Sequence, residues 1–453
     1  MSAAERAAER ASLRQLRERE LAARGGLSPI AATAHAYYRP RDLVLTVAAR
    51  DRLADRLSGY YNACPVEKDP GDWRRSIGLD AEQDLGERLP EVGRSLWRLP
   101  EQVSPAEHLA LVHELRDRLS TGVSCAGGGG GVAVALNHVF FGEPLYQGGP
   151  GGEPRPVAEP PAAFRAAPGN GTGVDLAVLD TGLPDGWESL HPGLDGRLFP
   201  NRDDRRATYV DGRPPSRTSA NDTRILASQS GHGLFACGLA QRAAPGLRVD
   251  PGLVLDASGV GDDASIAAEL HETTAPVVNL SLGGYTEDDL PPPTLTDAIA
   301  AKGENVVVVA AAGNNDGATR LFWPAALPGV IAVAGYDSTG GGPAETDFSN
   351  RGPWVDVCAP ARDLVSSYVR GTYPAHDGDR VLRGWAAWSG TSFATVLVAA
   401  EIARRVRDAR GERTPRQVAL AFVEELDASR WDGLGRIYVP PADYTDTDRP
   451  PTA

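Results

Sequence analysis

Four short apolar runs constrain this chain more than any other feature in it. Residues 174–179, 277–282, 306–312 and 330–334 are each five to seven residues long and rich in Val, Ala, Leu and Ile. That is strand length, and a strand apolar on both sides has to be covered on both faces. Stretches with helical spacing separate several of them, at 233–241, 264–270 and 296–302. Strands alternating with helices lead to a mostly parallel, twisted sheet with helices on both faces, an α/β fold that we place over residues 169–436.

What precedes the sheet reads differently. Residues 1–25 are dense in Glu, Arg and Ala, with no Gly or Pro before Gly25, and predict a charged helix. Residues 40–146 predict a smaller α+β module in the order β-α-β-α-β: a strand at 43–47, a helix at 51–61, a strand at 95–99, a helix at 105–119 and a strand at 132–141. Ser104 caps the second helix and Pro105 opens it. A Gly/Pro-rich linker at 147–168 joins module to sheet. Residues 437–453, with Pro, Asp and Thr, predict a disordered tail.

Composition narrows the function classes. With 46 basic and 60 acidic residues the net charge is −14. That balance argues against nucleic-acid binding and against a polybasic membrane surface. Cys64, Cys125, Cys237 and Cys358 show no ligand-pair spacing, which argues against structural zinc. No apolar h-region and no eighteen-residue apolar run occurs, so the expectation is a cytoplasmic chain without a membrane span.

In open parallel sheets the reacting groups gather at the carboxyl ends of strands. Three places fit. Asp180 ends an apolar strand within Val178-Leu179-Asp180-Thr181-Gly182. His232 stands between Gly231 and Gly233 at the start of an apolar helix. Ser392 ends Ser389-Gly390-Thr391-Ser392, in the first turn of a helix at 393–407, where free N–H groups and a positive dipole end face the reacting carbon. Each feature alone is common in proteins without any such function. Asp-Thr-Gly also occurs in aspartic proteases, but no second copy is present. Together, a carboxylate, an imidazole and a hydroxyl are the parts of nucleophilic acyl transfer.

In that order and with those motifs the chain resembles the subtilisin-like serine proteases, the subtilases, over roughly residues 171–410. The Asp, His, Ser order is the subtilisin order. His191-Pro192, Val278-Asn279-Leu280-Ser281-Leu282-Gly283-Gly284, Ala311-Ala312-Gly313-Asn314 and Phe348-Ser349-Asn350 match further motifs in sequence. The resemblance implies Asp180 to orient the imidazole, His232 as general base then acid, and Ser392 as nucleophile. Asn314 and the Ser392 backbone N–H would stabilise the oxyanion. It also implies that Ser258-Gly259-Val260-Gly261 and Ser281-Leu282-Gly283-Gly284 flank an extended peptide, with Ala311, Ala312 and Gly313 beside the residue at the scissile bond. Phe322 is placed to close part of that pocket. Glycines keep both edges open for an added strand.

The expected function is a serine endopeptidase acting on a selected protein or precursor peptide. No cofactor is needed for the chemistry, and no carboxylate cluster supports a structural calcium site. A non-catalytic peptide-binding module on the same fold is the alternative, and an esterase a third reading. The module at 40–146 loosely resembles the propeptide of secreted subtilases, as an intramolecular inhibitor or a partner recogniser. Departures from the family are Leu234 after Gly-His-Gly, Phe393 after the serine, Ala361 for a common Gly, and Thr395-Val396 where a proline is usual. A surface loop is expected at 201–224.

Overall fold

The structure, a computed structural model, describes residues 30–33, 36–59, 61–65, 88–120, 132–142, 152–158, 173–199, 206–207, 225–315, 318–340, 342–375, 377–441 and 444–445. The helix expected at 1–25, Cys125 and nearly all of the 201–224 loop lie outside the described residues.

The N-terminal module contains β1 (Tyr37–Thr46), α1 (Val47–Gly59), β2 (Arg94–Arg98), α2 (Pro105–Ser120) and β3 (Val134–Phe141). β1 is central, antiparallel to both β2 and β3. Ser104 and Glu107 close a capping box at the start of α2: the Glu107 N–H donates to Ser104 Oγ (3.3 Å) and the Ser104 N–H to the Glu107 carboxylate (2.8 Å). The helices and sheet enclose a small core that includes Leu43, Leu45, Trp97, Leu115 and Leu136.

Beyond the module come β4 (Arg155–Pro156), β5 (Leu176–Asp180), α3 (His232–Ala243), β6 (Val249–Leu253), β7 (Val260–Asp262), α4 (Asp263–Glu272), β8 (Val277–Leu280), α5 (Pro293–Lys302), β9 (Val307–Ala311) and β10 (Ile331–Asp337). They are followed by β11 (Val357–Pro360), β12 (Leu364–Ala375), β13 (Gly378–Trp388), α6 (Thr391–Asp408), α7 (Pro415–Glu425), β14 (Asp427–Trp431) and β15 (Gly435–Ile437). The large sheet runs β6-β5-β8-β9-β10-β11-β15-β14. Its pairings are parallel from β6 through β15; β14 turns back antiparallel at the edge.

Side chains alternate across this sheet with period two. Leu176, Val178, Val277, Val307 and Val309 face α3 and α6. Ala177, Leu179, Val278, Leu280 and Val308 face α4 and α5. Both faces are thus covered, as the apolar runs require. α6 is buried almost without break from Thr391 to Ala403, which explains why its sequence is apolar all round at that end.

The elements of the body that were not anticipated include β6, β11, the β12–β13 hairpin, α7, β14 and β15. Two expectations need correction. Within the stretch read as linker, 147–168, Arg155 and Pro156 form β4 on the edge of β13, and Trp388 Nε1 donates to the Gly152 carbonyl (2.7 Å). Within the stretch read as a disordered tail, 437–453, Tyr444 is buried, accepts a backbone hydrogen bond from Val365 (2.7 Å) and lies under the Arg242 guanidinium. In both places an open strand edge supplies partners that composition cannot reveal.

The module and the body share a sheet. β7, from the body, pairs antiparallel with β3, with Val260 opposite Phe141 and Asp262 opposite Val139.

Candidate active site

Asp180 is the last residue of β5, at the carboxyl end of the parallel sheet. Its carboxylate accepts the Thr181 N–H (2.7 Å) and faces His232 Nδ1 at 2.8 Å from both oxygens. A second contact fixes the approach. The Gly233 N–H donates to Thr181 Oγ1 (2.9 Å), and a methyl group on Gly233 would stand 2.6 Å from the Gly182 carbonyl oxygen. The turn after Asp180 and the start of α3 therefore touch backbone to backbone, which only glycine permits. Gly231 acts through its backbone angle instead, since its φ of 77° makes the left-handed turn that admits the chain into α3.

The imidazole is walled by aromatic rings. Trp388 meets it edge-on at 5.3 Å, and Phe393 lies tilted over it at 5.1 Å. Trp388 was not singled out from sequence, although it stands four residues before Ser392. Nε2 of His232 is buried and has no hydrogen-bond partner among the described residues.

Ser392 is buried in the first turn of α6. Its hydroxyl donates to the Ser281 carbonyl (3.2 Å), while Ser281 Oγ donates to the Ser392 carbonyl (2.8 Å) and accepts from Asn279 Nδ2 (2.9 Å). The loop before it is pinned from residues 313–314: the Thr391 N–H donates to Asn314 Oδ1 (3.0 Å) and the Gly313 N–H to Thr391 Oγ1 (3.2 Å). Asn314 Nδ2 is buried without a partner among the described residues. One residue before Val396, which stands where the family tends to have proline, the Thr395 hydroxyl donates to the Thr391 carbonyl (2.7 Å) and ties this first turn.

The structure thus joins Asp180 to His232 and Asn314 to the Ser392 turn. It places the Phe393 ring, next to Ser392, against His232, and it leaves Ser392 Oγ turned to Ser281 rather than bonded to Nε2. Cys237 is buried one and a half turns along α3, and burial, then the charge of Asp180, pushes its thiol well up; it is an inert neutral side chain.

The two glycine-bearing edges were expected to be open, and here the structure corrects the reading. The end of β3 lies between them. Phe141 and Gly283 exchange both backbone hydrogen bonds (2.9 Å each), and the Gly142 N–H donates to the Gly259 carbonyl (2.9 Å). Ser258, Val260, Gly261, Ser281, Leu282 and Gly284 are all buried as a result. Ala311 and Ala312 are buried beside them, and Phe322 packs against Phe141, Val260 and Tyr285. A sheet edge fills with any strand within reach, and the module supplies one. Among the described residues no group of His, Cys, Asp and Glu could hold a metal ion, and no helix is long and apolar enough to cross a membrane.

The chain is similar to several known proteins. The profile of the Subtilase family matches residues 171–432. The chain is similar to the Thermophilic serine proteinase of Bacillus sp. (strain AK1), 34% identical over 233 residues that cover 50% of this chain and 51% of that protein. It is 31% identical over 241 residues to Subtilisin Savinase of Lederbergia lenta, covering 51% of this chain and 74% of that one. The chain therefore spans about half the length of the first of these relatives. In fold it is similar to fervidolysin from Fervidobacterium pennivorans, with a TM-score of 0.55 at 20% identity over 90% of this chain and 61% of that chain. The family match covers more than half of the sequence and includes the strand, helix and loop that carry Asp180, His232, Asn314 and Ser392, so this chain belongs to the subtilase family.

Proposed function

We propose that the chain is a serine endopeptidase that works through Asp180, His232 and Ser392 with an oxyanion hole at Asn314. The carboxylate of Asp180 takes the Nδ1 proton of His232 in a hydrogen bond, which leaves Nε2 as the basic nitrogen. A rotation of the Ser392 side chain carries its hydroxyl from the Ser281 carbonyl to Nε2. There His232 accepts the proton as Oγ attacks the peptide carbonyl, then delivers it to the leaving amine. Asn314 Nδ2 and the Ser392 N–H receive the oxyanion.

The observation that carries this reading is the pair of buried, unpartnered nitrogens, His232 Nε2 and Asn314 Nδ2. A buried polar group left unpaired costs about 1–3 kcal/mol, so two in one place mark where a ligand's atoms complete the bonding. Extended peptides fit the site because the backbone edges at Gly259 and Gly283 already hold one in the form of β3. Occupied in this way, the module acts as an intramolecular inhibitor of the body.

Labelling by a fluorophosphonate, lost in Ser392→Ala, tests the nucleophile. Asn314→Ala should keep the fold and lose about 3–4 kcal/mol of transition-state stabilisation, the size found for such a donor in this same family. Normal turnover by either variant sinks the mechanism. One observation favours the non-catalytic, peptide-binding reading instead: Ser392 Oγ is bonded to Ser281, away from the base. Absence of labelling in a variant with its cleft vacated would establish that reading.

A further inference from the structure

The strand held in the cleft defines where a scissile bond falls and what its acyl side can be. Successive side chains of β3 alternate in direction. Phe140 packs with Leu255 and Leu282 on one side, and Phe141 with Val260, Tyr285 and Phe322 on the other. Phe141 stands opposite Gly283 in antiparallel register. An extended peptide continuing that register places the residue two positions further on opposite Ser281. The Ser281 carbonyl is 3.2 Å from Ser392 Oγ, so the carbonyl of that residue is the one the nucleophile can reach. Its side chain projects to the same face as Phe141, toward Phe322.

Phe322 fills that space. A methyl group on Gly283 would stand 2.2 Å from its Cε1 atom, and one on Gly313 would stand 2.9 Å from the same atom. A single ring carbon thus touches both backbones that bound the pocket, the peptide-pairing edge and the segment leading to Asn314. The ring is braced edge-on by Tyr285 at 5.3 Å and cannot move aside without opening that packed cluster.

We propose that Phe322 is a specificity-determining residue that restricts the residue on the acyl side of the cut bond to Gly, Ala or Ser. The assignment rests on the protease reading above and narrows its substrate class to peptides with a small residue before the scissile bond. Larger side chains meet the ring instead of a cavity.

The chain's own sequence supplies the test, because Glu143 and Pro144 follow Gly142. Full-length protein is prepared as wild type, as Glu143→Ala/Pro144→Ser and as Glu143→Phe/Pro144→Ser, each with and without Ser392→Ala, and followed by intact-mass measurement. The wild type should stay whole at this bond. The Ala chain should divide between positions 143 and 144 about 100-fold faster than the Phe chain, and only with Ser392 present. Phe322→Ala should restore cleavage of the Phe chain. Equal, Ser392-dependent rates for the Ala and Phe chains would overturn the pocket assignment and leave the protease reading intact, whatever Phe322→Ala does to folding. A cut at a different bond would overturn the register. No cleavage in any chain would overturn both the assignment and the protease reading.

Discussion

The body and the N-terminal module solve the same problem, covering a sheet, with opposite materials. The body's central strands are apolar on both faces and close themselves between two helical layers. The module buries charge instead: Arg39, Asp42, Arg94, Arg98, His108, Asn137 and His138 are all nearly inaccessible. Several of their partners belong to the body. Arg39 meets Asp262 at 3.3 Å, Arg94 meets Asp297 at 2.7 Å, and Arg88 meets Glu269 at 3.6 Å. Asn137 Nδ2 donates to Asp42 (3.0 Å) and to Asp262 (3.1 Å). In every ion pair just named the arginine is the module's and the carboxylate the body's. These buried arginines of the module thus take their carboxylates from the body, whereas the body's central strands are covered by the body's own helices.

Cutting the centre of that interface should separate the two regions most. Asp262 accepts from Arg39 and Asn137 and also caps α4 through the Ser265 N–H (3.1 Å). Asp262→Ala leaves the Arg39 guanidinium buried beside no carboxylate from this position, a loss of about 3–5 kcal/mol in docking. Hydrogen exchange should show the amides of β3 losing protection while those of β8 and β9 keep theirs. Equal loss in both regions would mean that the body leans on the module after all.

The contrast also explains what was legible beforehand. The sheet strands β5, β8, β9 and β10 and the segments carrying Asp180, His232 and Ser392 were readable because each is a local pattern: an apolar run, or glycine flanking a reactive side chain. The β12–β13 hairpin escaped because its residues mix Ser, Arg, Gly and Thr with apolar ones without a regular period, and most of its pairing is between its own two strands. The filled cleft escaped for a different reason. Nothing within 134–142 says that Phe141 will meet Gly283, a contact set by docking across more than a hundred residues of chain. Trp388 and the orphaned Asn314 amide became visible only once the turn around Ser392 was in place.

Acid should sharpen the difference between the regions by a smaller step. His108 and His138 are neutral inside the module, held down to about 4 by burial first, with nearby Asp42 and Asp288 respectively opposing that effect. A free histidine titrates near 6.5. Since the folded value lies below the unfolded one, the stability they contribute is whole above about 6.5 and is lost as pH falls toward 4, on the order of 3 kcal/mol for each. Asp263 works in the opposite sense: burial raises its carboxyl well above the usual range, so its contribution is lost as pH rises. Limited proteolysis between pH 7 and 4 should therefore cut the module while the body remains resistant. Simultaneous cleavage of both regions would contradict the assignment of these two histidines.

The smallest effect compares like with like. Each region has a helix closed by a capping box: Ser104 with Glu107 on α2 of the module, and Thr414 with Gln417 on α7 of the body. Both donors of the pair are satisfied in the same manner, and both sites are exposed, so Ser104→Ala and Thr414→Ala should each cost about 1 kcal/mol. Their thermal consequences should differ. A unit of roughly 100 residues loses about 4–8 °C in Tm per kcal/mol, whereas one above 150 residues loses about 2–4 °C. If the module melts as its own cooperative unit, Ser104→Ala lowers a first transition by about twice what Thr414→Ala takes from a second. A single transition, shifted equally by both substitutions, would show that docking has fused the regions into one cooperative body, and that the charged interface is strong enough to make the module's small core irrelevant to how it unfolds.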